Sequence, residues 1–235
     1  MIYVVSDLHG RLEDWLLLLD KVHFGENDTM FVLGDCVDYG PDSIGLLHDL
    51  MGRSNVFPVL GNHELRFVRC AKRIPAQATM ETLPELLDEE GKALLADWLS
   101  DGGQATLRQY LALDEEEREA ILDYIGEMTL YEEAEADGVN FVLTHAGLDH
   151  FDPERELDEY EPSDFLYATP TPGMEYFADR TVVVGHVPTF RLEGGTAGKI
   201  LDDGAIIYID CGAAHPQDGG SIGCLRLDDL SEFYI

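Results

Sequence analysis

Short apolar runs alternate with amphipathic stretches along the first third of the chain. Ile2–Ser6 is apolar and partly β-branched and reads as a buried strand. Leu12–Val22 has helical spacing, with Trp15, Leu16, Leu19 and Val22 on one face. Thr29–Leu33 predicts a second strand, Ser43–Met51 a second helix, Val56–Leu60 a third strand, and Glu64–Ala71 opens a third helix. Strand and helix in strict alternation imply a largely parallel, layered α/β sheet.

From Pro75 to about Asp137 the period changes. Leu83, Leu86, Leu87, Leu94, Leu95 and Trp98 recur at helical spacing with an interruption at Gly91, and Ile121, Leu122, Ile125 and Met128 do so again. Asp114–Glu119 is acidic, as suits the positive end of a helix dipole. The stretch reads as a helical insertion between core strands, serving either as scaffold or as a cap over a site. Strands resume at Asn140–Thr144, Thr181–Val184, Ala205–Ile209 and Ile222–Leu227, while Asp149–Met174, with four prolines, reads as an ordered irregular loop. No internal repeat or linker divides the sequence, so the expectation is one domain over residues 1–235 with its helical insertion at about 75–137.

Composition narrows the function. The 235 residues, 45% of them hydrophobic, suffice for a full core. No segment is apolar for long enough to span a bilayer. Met1–Asp7 reads as a strand of the fold and not as a signal peptide, which leads us to expect a cytoplasmic protein. Cys36, Cys70, Cys211 and Cys224 form no Cys-x-x-Cys pair and read as reduced, buried thiols. The net charge of −32, from 47 acidic and 15 basic residues, argues against nucleic-acid or anionic-membrane partners. It also opposes the approach of any phosphate, so a phosphate site must carry local positive charge, which bound cations can supply.

The candidate chemistry lies where the predicted strands end. The first runs into Ser6-Asp7-Leu8-His9-Gly10, the second into Gly34-Asp35-Cys36-Val37-Asp38-Tyr39-Gly40, and the third into Gly61-Asn62-His63-Glu64. Two later strands run into Thr144-His145-Ala146-Gly147 and Gly185-His186-Val187-Pro188. Ligands bind at the carboxyl ends of strands in α/β sheets, so the five clusters are expected to converge. Asp7, His9, Asp35, Asn62, His145 and His186 offer carboxylate, imidazole and amide donors without thiolate. That set suits Mn²⁺, Fe, Zn²⁺ or Co²⁺, and six ligands suit two divalent ions sharing a carboxylate better than one zinc with an open position.

These clusters, in this order, resemble the motifs of the calcineurin-like metallophosphoesterases, most closely the bacterial phosphoprotein phosphatase (serine/threonine phosphatase) branch that also holds symmetrical diadenosine tetraphosphate hydrolases. Gly102-Gly103 after Trp98 and Asp210-Cys211-Gly212-Ala213 look similar to further family segments. The resemblance implies an α/β fold, a four-layer α/β/β/α sandwich with a helical insertion. It implies that Asp7, His9 and Asp35 hold one metal ion, manganese being the first expectation, and that Asp35, Asn62, His145 and His186 hold the second. It gives His63 as general acid, oriented by Asp38. A hydroxide shared by the two ions would attack phosphorus in line, and the histidinium would protonate the leaving group.

Two positions depart from the phosphatase pattern. Tyr39 stands where an arginine usually follows the aspartate motif, and Asp164-Phe165-Leu166-Tyr167-Ala168 lacks the second usual arginine. Tyrosine cannot replace a bidentate guanidinium. Arg66 and Arg191, with Tyr39, are the candidate substrate contacts. The leading expectation is a phosphomonoesterase acting on a phosphoprotein or a small phosphate ester. The alternatives are a dinucleoside polyphosphate hydrolase, favoured by the segment Tyr39-Gly40-Pro41-Asp42-Ser43, and a catalytically weak metal-binding regulatory module.

Overall fold

The computed structural model describes all residues 1–235. Three βα units build its first part: β1 (Ile2–Val5), α1 (Leu12–Lys21), β2 (Thr29–Val32), α2 (Ser43–Met51), β3 (Val56–Pro58) and α3 (Asn62–Ala71). Four helices follow, α4 (Leu83–Leu86), α5 (Glu89–Ser100), α6 (Gln104–Ala112) and α7 (Glu115–Gly126). The remainder holds β4 (Tyr131–Ala136), β5 (Val139–Thr144), α8 (Pro162–Leu166), β6 (Arg180–Val184), β7 (Leu201–Asp202), β8 (Ile206–Tyr208), β9 (Gly223–Arg226) and β10 (Ser231–Tyr234).

The strands form two five-stranded sheets, ordered β10-β9-β1-β2-β3 and β4-β5-β6-β8-β7. Each has three adjacent parallel strands, β1-β2-β3 along one side of the first and β5-β6-β8 in the middle of the second, and antiparallel strands complete it. The expectation of a largely parallel sheet is thus corrected to two mixed sheets. The missed strands carry weak local signals. β4 reads Tyr-Glu-Glu-Ala-Glu-Ala, an edge strand whose glutamates suit solvent and discourage further pairing, and it lies inside the stretch read as helical. β7 has only two residues.

Side-chain alternation explains the layering. Tyr3, Val5, Met30 and Val32 face a core shared with α1, α2, α3 and the inserted helices. Their neighbours Val4, Phe31 and Leu33 face the other way and meet Phe141, Leu143, Val183 and Ile207 of the second sheet. That sheet turns Val142, Val182, Val184, Ile206 and Tyr208 outward onto Phe165 of α8, Tyr160 and Tyr176. Both faces of each sheet are buried, which is why the central strands are continuously apolar. The result is the α/β/β/α sandwich, with a thin fourth layer.

Smaller corrections follow from packing. On α1 the buried residues are Trp15, Leu18 and Leu19, and Leu16 is exposed. Gly91 does not interrupt a helix. It lies in the first turn of α5, and its N–H is capped by the Asp88 carboxylate at 2.7 Å. The stretch expected to be irregular contains α8, whose Phe165 and Leu166 are fully buried. The insertion is fastened to α3 by aromatic contacts: Phe67 stacks on Trp98 at 5.4 Å and meets Tyr110 edge-on at 5.2 Å. All four cysteines are free and buried, and no helix is long and apolar enough to cross a membrane.

Candidate metal centre

The chain turns sharply where β1, β2 and β6 end. Six of the ten non-glycine residues with positive φ lie here: Asp7, His9, Asp35, Asp38, Tyr39 and His186. A side chain with a Cβ is disfavoured in that region, by about 1 kcal/mol or more each, and persists only where its surroundings dictate it. Glu64 supplies much of the dictation. Its buried carboxylate accepts the backbone N–H groups of Asp35 (2.8 Å), Cys36 (2.7 Å), Val37 (3.1 Å) and Gly61 (3.1 Å), tying the β2 loop to the start of α3. Gly61 is required by closeness, since a Cβ there would lie 2.3 Å from the Asp35 nitrogen.

Glu64→Gln keeps the volume but turns one acceptor into a donor facing N–H groups. It is expected to cost about 2–4 kcal/mol, seen as a fall in Tm of roughly 4–16 °C for a chain of this size. Thermal unfolding followed by circular dichroism checks this, and an unchanged Tm would remove Glu64 from its anchoring role.

The expected ligands come together. Donor atoms of Asp7, His9 and Asp35 lie within 4.8 Å of one another, as do those of Asp35, His145 and His186, so Asp35 belongs to both groups. Asn62 joins the second group, its Oδ1 being 2.8 Å from His145 Nε2. A cation held by both groups would account for that contact. His145 Nδ1 lies 2.8 Å from the Leu33 carbonyl, which can only accept, so Nδ1 carries the proton and Nε2 of the neutral ring is a lone pair. Two acceptors then face each other at a spacing close to the roughly 3 Å that separates adjacent ligands on one transition-metal ion. His9 is oriented the same way, Nδ1 on the Val37 carbonyl at 3.0 Å, leaving Nε2 as the donor atom.

Electrostatics point the same way. Burial raises the pKa of Asp7 well above the ordinary carboxylate range and that of Asp35 to about 6. Buried Asp210 adds its charge to both and is itself raised to about 6, chiefly by burial. Burial also lowers His9 to about 3, His186 to about 4 and His145 well below its usual value, so the imidazoles are neutral, as metal ligands must be. Crowded buried carboxylates beside neutral imidazoles fit divalent cations.

His63 and Asp38 form a pair beside this centre. His63 Nδ1 lies 2.8 Å from Asp38 Oδ2, and its Nε2 lies 3.9 Å from Asp35 Oδ2. Burial works to lower the His63 pKa, but the Asp35, Asp38 and Asp101 carboxylates outweigh it and hold it at about 9. Asp38 is fixed by the insertion: the Trp98 indole N–H donates to it at 2.9 Å and the Thr106 hydroxyl at 2.7 Å.

The candidate substrate contacts are placed less openly than the sequence suggests. Tyr39 packs edge-on against His9 at 5.1 Å, and its hydroxyl donates to Asp101. Arg66 is already paired, with Asp101 and with Asp97 at 3.4 Å. Arg191 is exposed at the rim, 3.3 Å from His215 Nε2. Beyond Tyr39 opens a cavity of about 780 Å³, walled by Arg11, Pro41, Ala213, Pro216 and Gln217 among others. Glu64, Trp98, Asp101 and Thr106 were not foreseen as site residues. Glu64 carried a signal as the last residue of the third polar cluster, and Trp98 did because a buried indole needs an acceptor.

A family model described as calcineurin-like phosphoesterase matches residues 1–209. A symmetrical bis(5'-nucleosyl)-tetraphosphatase from Azotobacter vinelandii is 39% identical over 100 residues, 42% of this chain and 36% of that protein. One so named from Pseudomonas fluorescens strain Pf0-1 is 36% identical over 126 residues, 53% of this chain and 41% of that protein. The matches thus span well under half of these relatives' length. A solved structure described as a candidate diadenosine tetraphosphatase superposes with a TM-score of 0.65 at 22% identity, covering 100% of this chain and 92% of that one. A protein serine/threonine phosphatase from Saccharomyces cerevisiae gives a TM-score of 0.58 at 17% identity, covering 100% and 78%. Likeness at these identities speaks for the fold alone.

Proposed function

The chain belongs to the calcineurin-like phosphoesterase family, and on that premise we propose that it hydrolyses phosphate esters or anhydrides with two divalent cations, dinucleoside polyphosphates being the substrate class. The observation that carries the hydrolytic reading is the pair of donor groups sharing Asp35, with His63 alongside. Asp7, His9 and Asp35 would hold one cation, and Asp35, Asn62, His145 and His186 the other. We take manganese as the first candidate, ahead of iron, zinc or cobalt. When bound, such ions make water nucleophilic near neutral pH and offset phosphate charge.

The chain's own residues do the rest. Neutral imidazoles and the Asn62 amide orient the centre without adding negative charge. His63 Nε2 gives its proton to the oxygen that departs from phosphorus, so that oxygen leaves protonated as the new P–O bond forms opposite it. Asp38, held by Trp98 and Thr106, keeps the His63 Nδ1–H engaged and the ring aimed. The ring then regains a proton from solvent.

The choice of substrate moves from a phosphomonoester toward a dinucleotide on two grounds. The cavity beyond Tyr39 has the volume of a small-molecule site and adjoins the centre through a shared wall. The relatives named above are tetraphosphatases by description. Arginine-based grip on phosphate is weak here, so contacts to a nucleoside would supply binding energy instead. Incubation of diadenosine tetraphosphate with the Mn²⁺-loaded protein is expected to give adenosine diphosphate as the sole nucleotide product by ion-exchange chromatography. Equal amounts of mono- and triphosphate would reject symmetric cleavage. Turnover of p-nitrophenyl phosphate with an untouched dinucleotide would restore the phosphomonoesterase reading.

A further inference from the structure

Asp101 directly follows α5, and its carboxylate sits where the insertion meets the mouth of the site. One oxygen accepts from the Tyr39 hydroxyl. The other accepts from Arg66 Nη1 and lies 3.8 Å from His63 Nε2. Hydroxyl, guanidinium and imidazole are the groups a phosphoryl anion would use at this mouth, and one carboxylate engages all three. Arg66 is further neutralised by Asp97, so two carboxylates answer one guanidinium.

We propose that Asp101 is a resident stand-in for phosphate, which an incoming phosphoryl group must displace. The inference rests on reading the site as one for phosphate esters or anhydrides. The local geometry suits a side chain that swings on a fixed backbone. The Gly102 carbonyl accepts the Tyr39 N–H at 3.0 Å, and a Cβ at Gly102 would lie 2.8 Å from the Tyr39 ring, which locks the main chain. The Asp101 side chain is 38% exposed and has solvent to move into. Such a residue sets specificity. Inorganic phosphate and small esters, with nothing else to hold them, compete poorly against it, whereas a substrate gripped elsewhere displaces it.

The test is Asp101→Asn, which keeps shape and removes the charge. By calorimetry on the Mn²⁺-loaded protein, inorganic phosphate is expected to bind about tenfold more tightly to the variant, as fits the loss of a charge-assisted competitor. KM for p-nitrophenyl phosphate is expected to fall with it, and by a larger factor than any change in kcat. In an Arg66→Met background the gain in phosphate affinity is expected to shrink. Asp101→Ala provides the same comparison should the asparagine create a new contact. Unchanged or weaker phosphate binding in both variants would overturn the proposal and make Asp101 a positioning residue for Arg66. If no ester or anhydride is hydrolysed by either form, the functional reading fails, yet the calorimetric comparison still decides the role of Asp101.

Discussion

Asp35→Asn is expected to lower cation-stimulated hydrolysis by at least about 10³-fold, a loss of roughly 4 kcal/mol of transition-state stabilisation. Asp35 is the one residue common to both donor groups. Its carboxylate also accepts the His63 backbone N–H at 3.0 Å and lies 3.5 Å from His145 Nε2. An asparagine keeps the shape and removes the charge that both cation positions share. The fold is expected to survive. The folded-state pKa of Asp35, about 6, stands above the ordinary 3.8, so its ionisation weakens the cation-free fold as pH rises between those values. At neutral pH the substitution relieves that penalty. Adding Mn²⁺ at a hundred times its dissociation constant should stabilise the wild type by about 2.7 kcal/mol, raising Tm by roughly 5–11 °C. Most of that rise should vanish in Asp35→Asn while its cation-free Tm does not fall. Retention of full cation-stimulated turnover would refute the shared-ligand assignment.

His63→Asn separates proton transfer from cation binding. A general acid contributes about 10²–10⁴-fold, and its contribution grows as the leaving group becomes more basic. Hydrolysis of an alkyl phosphate should therefore fall by that factor. Hydrolysis of p-nitrophenyl phosphate, whose phenolate leaves readily, should fall far less. The Mn²⁺-dependent rise in Tm should persist, because His63 Nδ1 engages Asp38 and belongs to neither donor group. Equal losses on good and poor leaving groups would deny His63 the role of proton donor and leave it a positioning one.

The positions gathered at the centre were legible because each directly follows an apolar strand, so local pattern and local chemistry coincide. Asp7, Asp35 and His145 needed only the rule that strand ends face the site. The groups that fix those residues were not legible for the same reason. Glu64 acts on backbone N–H groups of another loop, and Thr106 on α6 and Asp101 just past α5 reach Asp38 and Arg66 from a stretch whose sequence pattern shows helical packing but not what it docks against. Arg66 illustrates the limit on charge. Its presence near His63 could be read from α3, but its neutralisation by Asp97 and Asp101 depends on how α5 docks. The edge strands were lost because pairing partners, and not propensity, make β4 a strand.

The first sheet takes β1, β2 and β3 from the early sequence and β9 and β10 from residues 223–234, with the whole second sheet in between. During synthesis, β1 therefore keeps an open edge until more than two hundred residues of chain have emerged. His145 and His186 also arrive long after Asp7, His9, Asp35 and Asn62 are in place. Contacts so distant in sequence close slowly. A nascent chain can therefore assemble no full donor set before residue 186 has emerged, and it cannot finish its first sheet before residues 223–234 are available.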